Sequence, residues 1–171
     1  MKAIFDSTFA ILMISPGAKP PPGPAGTRPA EAAERVDLLI DTLEKQRSDI
    51  MIPAPVVTEL LIRGRPPLTE ILALLQRTGG FRFPPFDYKT AVECGVLLRK
   101  YWAASKRKDA SRAKVKFDHQ IIAIACIEAV DVIYSDDVDM KKLGRAVGIK
   151  VVGIWDLPAK PIDPQGKLPL S

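Results

Sequence analysis

The sequence predicts a three-layer α/β domain with a small, mainly parallel sheet. Two observations carry that expectation. Short apolar segments of strand length alternate with amphipathic segments of helical period, the order that parallel strands joined by crossover helices require. Glycines and prolines fall mostly between these segments and set their ends. At 171 residues, 47% hydrophobic and 26% charged, the chain suits one domain with a substantial core. We place that domain at residues 1–155, with a Pro/Gly-rich loop at about 15–29 and a Pro-rich tail at 156–171.

Each element follows from its local pattern. Residues 2–6 (KAIFD) read as a buried strand, and the apolar segment after it runs to Ile14. The loop then holds too much Pro and Gly for regular structure. Residues 29–48 place Val36, Leu39, Ile40 and Leu43 at helical spacing. A short strand is expected at 49–52. Pro53 and Pro55 end it and open the helix VVTELLIRG, which Gly64 closes. Another helix spans 66–77, closed by Gly79 and Gly80. Residues 81–83 form an extended segment before a helix at about 88–104. An apolar helix is expected over 116–129, a strand over 131–134, a helix over 138–147 ending at Gly148, and a last strand over 150–154.

Composition excludes several classes. No apolar run approaches the roughly 20 residues of a membrane span. The first 15 residues are apolar, but Asp6 interrupts them, only Lys2 precedes it, and no small-residue cleavage site comes after, so a cytoplasmic location is expected. Cys94 and Cys126 belong to no CxxC or Cys/His cluster and read as reduced thiols rather than as a disulfide or zinc site. The net charge of +5 suits an anionic partner without requiring one. Its distribution is more telling. Residues 99–116 contain Arg99, Lys100, Lys106, Arg107, Lys108, Arg112, Lys114 and Lys116 against the single acid Asp109. Such a field suits a phosphate backbone, and of these residues Arg99, Lys106, Arg107, Lys108, Arg112 and Lys114 are the candidate substrate contacts. A solvated helix end is the competing reading. Tyr101 and Trp102 adjoin this stretch, where base stacking competes with core packing.

Four acidic positions are anomalous. Asp118 shares a helical face with Ile121, Ile122 and Ala125, where an unpaired carboxylate costs several kcal/mol. It therefore needs a cation, a hydrogen-bond network or a cleft, unless it serves as a helix N-cap. Asp6 ends the first strand, at the edge where parallel sheets bind ligands, or else merely caps the segment after it. Glu59 lies between Val56 and Ile62 and alone reads as a boundary residue. Asp136 and Asp137 come directly after a strand, with Asp139 close behind, and at least one of the three is expected to cap a helix. Together these acids would repel one another, and a divalent cation is the simplest neutraliser. Mg²⁺ or Mn²⁺ suits an all-oxygen set, and such ions hydrolyse phosphodiesters. His119 points about 100° away from Asp118 on the same helix and is not expected to share its site.

In order along the chain, IFDST, IPAPVVTELLIRG, FDHQIIAIACIEAVDVIYSDD and SDDVDMKKLGRAVGIKVV resemble the four motifs of the PIN-domain nucleases, and most closely those of the small VapC-type ribonuclease toxins and their stand-alone relatives. The resemblance implies a PIN-like α/β/α fold and a Mg²⁺- or Mn²⁺-dependent endoribonuclease, the toxin of a toxin–antitoxin pair. It implies RNA as substrate, an antitoxin as partner, and a homodimer. Asp6 and Asp118 would be the principal metal ligands, Glu59 and Asp137 would complete the catalytic set, and Ser135 would steady it. This chain departs from the pattern in its doubled acid, which leaves Asp136 competing with Asp137 as a metal ligand; the Ser-x-Asp spacing favours Asp137. Met140 replaces the usual aromatic, and the Pro/Gly-rich loop is longer than usual.

Rival readings are a PIN nuclease of RNA processing or turnover with no antitoxin, and an inactive PIN module that binds RNA or protein. A receiver domain is disfavoured because its acid pair should come early. Neither GxGxxG nor GxxxxGK[ST] occurs to support a nucleotide-binding enzyme.

Overall fold

The computed structural model describes residues 1–159, apart from 16, 21, 23–25, 28–30, 65, 78–79 and 105–110. Much of the expected Pro/Gly loop, the tail beyond residue 159, and Lys106, Arg107 and Lys108 therefore lie outside the described residues. Five strands form the sheet: β1 (Lys2–Phe5), β2 (Asp49–Met51), β3 (Phe81–Arg82), β4 (Val132–Tyr134) and β5 (Lys150–Val152). Their order is β3-β2-β1-β4-β5 and every pairing is parallel. Among the described residues seven α-helices join them: α1 (Ser7–Ile14), α2 (Ala32–Lys45), α3 (Ala54–Arg63), α4 (Leu68–Arg77), α5 (Tyr88–Ala104), α6 (Arg112–Ile127) and α7 (Val138–Val147). This is the expected three-layer α/β/α architecture. Among the described residues no helix is long and apolar enough to cross a membrane.

Strand β1 is central, and both of its faces are covered, so Ala3, Ile4 and Phe5 are all fully buried. Alternation along the strand divides the core. Ile4 joins Met51, Val56, Leu60, Ile121, Ile122 and Ile133 on the side of α3 and α6. Ala3 and Phe5 join Val36, Leu43, Ile50 and Tyr134 on the side of α2. Helix α1 serves both layers, with Ala10 and Ile14 in the first cluster and Phe9 and Leu12 in the second. Because the chain crosses from β1 to β2 on one side and later to β4 on the other, the sheet's order reverses at β1. The crevice of the fold opens at the carboxyl ends of β1 and β4.

Three boundaries differ from the sequence expectation. The apolar segment after β1 forms helix α1, made possible because both of its sides find a core. Helix α3 opens at Ala54, with Pro53 at its N-cap and Pro55 in the first turn, where a missing N–H costs nothing. Helix α6 begins at Arg112, one turn before the expected start: its first turns bury Val115, expose Arg112 and Lys116, and turn the Lys114 ammonium toward Asp118. Asp118 therefore lies in the second turn, and the N-cap reading fails; Ser111 holds that position.

Helix α7 lies close against β5 through Gly144, where an added Cβ would meet Val151 Cγ2 at 2.4 Å and the Ile149 carbonyl oxygen at 2.9 Å. One of those atoms is backbone, so the clash cannot be relieved by a side-chain rotation alone. Gly144→Ala is expected to lower stability by about 2 kcal/mol, despite alanine's better helix propensity. A urea midpoint at or above that of the wild type would refute this account of the α7–β5 packing.

Candidate active site

Strand ends and helix starts coincide at the crevice. Asp6 leaves β1 and caps α1: its Oδ1 accepts the backbone N–H groups of Thr8 at 2.9 Å and Phe9 at 3.1 Å. The other carboxylate oxygen, Oδ2, accepts a short hydrogen bond from the hydroxyl of Ser135, which is fully buried just beyond β4. Ser135 Oγ in turn accepts the Asp137 N–H at 3.1 Å. Asp137 caps α7, with Oδ1 accepting from Asp139 N at 2.7 Å and Met140 N at 3.2 Å. The capping and site readings of Asp6 and Asp137 are thus not alternatives, since each residue uses one oxygen for its helix and presents the other elsewhere.

A cavity of about 320 Å³ joins these groups to the rest of the site. Asp6, Glu59, Asp118 and Asp137 all line it, together with Ser7, Arg63 and Lys114. Glu59 projects from α3, where its carboxylate accepts a short hydrogen bond from Ser7 Oγ and pairs with Arg63 one turn on. Asp118 comes from α6 and is only 7% exposed. Between the acids sits the ammonium of Lys114, 3.0 Å from Asp118 Oδ2, 3.0 Å from Asp137 Oδ2 and 3.4 Å from Asp139 Oδ2.

The electrostatics follow from burial. Desolvation pushes the Asp6 carboxyl up to about 7, even though the hydrogen bonds from Ser135, Phe9 and Thr8 favour its charged form. Burial likewise raises Asp118, opposed by Lys114 and reinforced by Asp137 and Asp139. For Lys114, burial works to lower the pKa, but the hydrogen bonds to Asp137 and Asp118 and the charges of both acids outweigh it and hold the ammonium above its ordinary value. This pocket favours positive charge.

The remaining candidates lie elsewhere. Asp136 does not line the cavity: its Oδ1 accepts Ile154 N–H at 2.8 Å, and its charge acts on Lys141 of α7, on Asp156 beyond β5 and, as a further raising influence, on Asp6. Successive residues leaving a strand point in opposite directions, so only one member of the doublet can face the crevice. Lys114 stands in a different relation from the expected one, as an internal partner of the acids rather than an outward phosphate contact. Arg99 and Arg112 are exposed and do not line the cavity. His119 turns away: its Nδ1 lies 2.7 Å from the Val115 carbonyl and its ring packs edge-on against Tyr101 at 5.0 Å. Sequence reasoning missed Ser7 and Arg63 as cavity residues. Arg63 was available from its position four residues after Glu59, on the same helical face.

The donors suit a hard divalent cation. All are carboxylate oxygens, and the position between Asp118 and Asp137 already accommodates a positive charge. Among the described residues no three acid, His or Cys side chains stand at metal-binding distance from one another in this arrangement, in which Lys114 lies between them.

No family model matches this chain, and no curated protein does. Solved structures do. VapBC2 of Rickettsia felis, bound to a DNA fragment from its promoter, matches with a TM-score of 0.59 at 11% identity, over 90% of this chain and 98% of that one. DNA-bound VapBC of Salmonella typhimurium matches with a TM-score of 0.60 at 13% identity, again over 90% and 98%. The chain has the VapC-type PIN fold. VapC20 of Mycobacterium tuberculosis, a toxin that cleaves the sarcin-ricin loop, shares this fold with a TM-score of 0.53 at 13% identity, over 83% of this chain and 95% of that one.

The raised pKa of Asp6 has a consequence for stability. Between pH 3.8 and about 7 the folded chain keeps a proton that the unfolded chain has released, so this group's contribution falls as pH rises through that window. In EDTA, stability is expected to decline across it by up to about 4 kcal/mol from Asp6 alone. Asp6→Asn retains a capping oxygen and is expected to remove most of that slope. Equal slopes in thermal unfolding of the two proteins between pH 4 and 8 would count against a desolvated Asp6.

Proposed function

We propose that this chain is a Mg²⁺- or Mn²⁺-dependent endoribonuclease and the toxin of a toxin–antitoxin pair. The observation that carries the reading is the ammonium of Lys114, held 3.0 Å from both Asp118 and Asp137 over a cavity that Asp6 and Glu59 also line. A buried acidic cluster that takes up a cation has a physical reason to exist as a metal centre. The fold shared with the sarcin-ricin-loop toxin favours RNA as the substrate.

Asp6, Asp118 and Asp137 would hold the metal, with Glu59 completing the acidic set. The ion, when bound, supplies the charge that activates water for attack on phosphorus and stabilises the leaving oxygen. Ser135 fixes the Asp6 carboxylate, and its hydrogen bond from Asp137 N ties the two acids to each other. Glu59, held by Ser7 and Arg63 at the cavity wall, would take the water's proton. Arg63 lines the same cavity with an exposed guanidinium suited to a phosphate, while Arg99, Arg112 and the basic stretch between them hold the flanking backbone.

One observation favours a protein partner. Leu72 and Phe83 are exposed on a groove of about 300 Å³ that Ala54, Val57 and Leu75 also line, between α3, α4 and the residue following β3. That groove suits an apolar antitoxin segment, in line with the VapBC assemblies that share the fold.

The test is cleavage of a structured RNA with Mg²⁺, Mn²⁺ or EDTA. Wild type is expected to cut only with metal, and Asp6→Asn/Asp118→Asn, purified identically, to lose at least about 100-fold in rate. Equal cleavage by both would expose a contaminant, and no cleavage by either would favour an inactive binding module. The acid doublet supplies a further check: Asp137→Asn is expected to lose activity by a similar factor, whereas Asp136→Asn stays within about threefold of wild type. The reverse ranking would place the wrong member of the pair in the site.

A further inference from the structure

We propose that Lys114 is a built-in competitor for the metal, an ammonium that occupies the cation position at rest and must leave before a divalent ion can bind. The inference rests on the proposed metal site but concerns what Lys114 does there, since that proposal assigns the residue no step in binding or cleavage.

The geometry is specific. Lys114 stands one helical turn before Asp118 on α6, so its side chain reaches the same face. Its Nζ contacts Asp118 Oδ2 and Asp137 Oδ2, both at 3.0 Å. The Asp137 oxygen involved is the one not committed to capping α7, and Asp137 Oδ1 carries that cap. The ammonium therefore consumes the Asp137 oxygen that the cavity has available. A metal ion held by Asp118 and Asp137 would compete with the ammonium for that Asp137 oxygen and for the space between the two carboxylates.

Departure is physically accessible. The Lys114 side chain is 44% exposed, and a four-carbon stem gives the ammonium freedom that a guanidinium fork lacks. Asp139, its third partner, already pairs with Lys142 at 3.0 Å, so that acid is not stranded when Lys114 swings out. The displaced ammonium would stay at the cavity rim, where the phosphate-contact role expected from the sequence becomes possible. Metal uptake would then proceed by exchange of one cation for another, and the site would keep its acids neutralised while empty.

Manganese titration by calorimetry tests this on the full chain, comparing wild type with Lys114→Met and with Lys116→Met. Lys116 is exposed on the same helix and does not line the cavity, so its loss controls for net charge. Lys114→Met is expected to bind Mn²⁺ at least about tenfold more tightly than wild type, with Lys116→Met within about twofold. A second readout needs no variant: mass-spectrometric amine labelling of wild type should show Lys114 becoming more reactive when Mg²⁺ is added. Binding by Lys114→Met alone would also support the exchange. Binding by both at equal affinity, or more weakly by Lys114→Met, with unchanged labelling, would overturn the competitor role and leave the metal site standing. No binding by either would overturn the metal-site reading and this inference with it.

Discussion

The hydroxyl of Ser135 is the joint on which the site depends. It donates to Asp6 at the end of β1 and accepts from Asp137 at the start of α7, and it does so with no exposure to solvent. A buried hydroxyl left without partners would cost a few kcal/mol, so the two strand ends are held in register by the need to satisfy it. The parallel pairing of Phe5 with Tyr134 delivers both ends to the same edge. Once they are there, each acid can cap its own helix with one oxygen and turn the other to a different partner. Two helix N-termini thereby face the crevice, and their positive ends help to hold negative side chains that burial opposes.

Much of this was legible in the residues. Alternating strand and helix patterns gave the layers, and a strand end or an apolar helix face marked three of the four acids that line the cavity, while Glu59 came from the motif resemblance. What periodicity could not supply was direction. Asp136 and Asp137 are chemically identical neighbours, and only the path from β4 into α7 decides that Asp136 turns to Ile154 while Asp137 faces Lys114. Lys114 was visible as part of a basic stretch, but its role depends on where α6 begins. That start lies one turn earlier than the apolar pattern marks, because a turn carrying one buried valine among charged residues has almost no hydrophobic signature. Helix α1 was hidden for the opposite reason. After Ser7 and Thr8 its residues are apolar on every side, and a helix buried in two layers has no amphipathic period to read.

The site also illustrates how a fold can concentrate acids without losing its stability. Asp118 and Asp137 share Lys114, Glu59 has Arg63, and Asp139 has Lys142. Asp6 has no cationic partner of its own among the described residues and relies on three hydrogen-bond donors, which burial outweighs. The least compensated acid is thus the one at the end of the central strand.

That strand is the first of the five to be synthesised and among the last to be completed. Asp6 and Ser135 stand 129 positions apart in sequence, so the pairing that creates the crevice waits for nearly the whole domain to leave the ribosome. Until β4 arrives, β1 lacks one of its two neighbours and Asp6 lacks the donor that orients it. A nascent or truncated chain ending before residue 135 contains three of the four acids but no assembled cluster. Whatever chemistry the crevice performs, the topology ties its appearance to the completion of the domain.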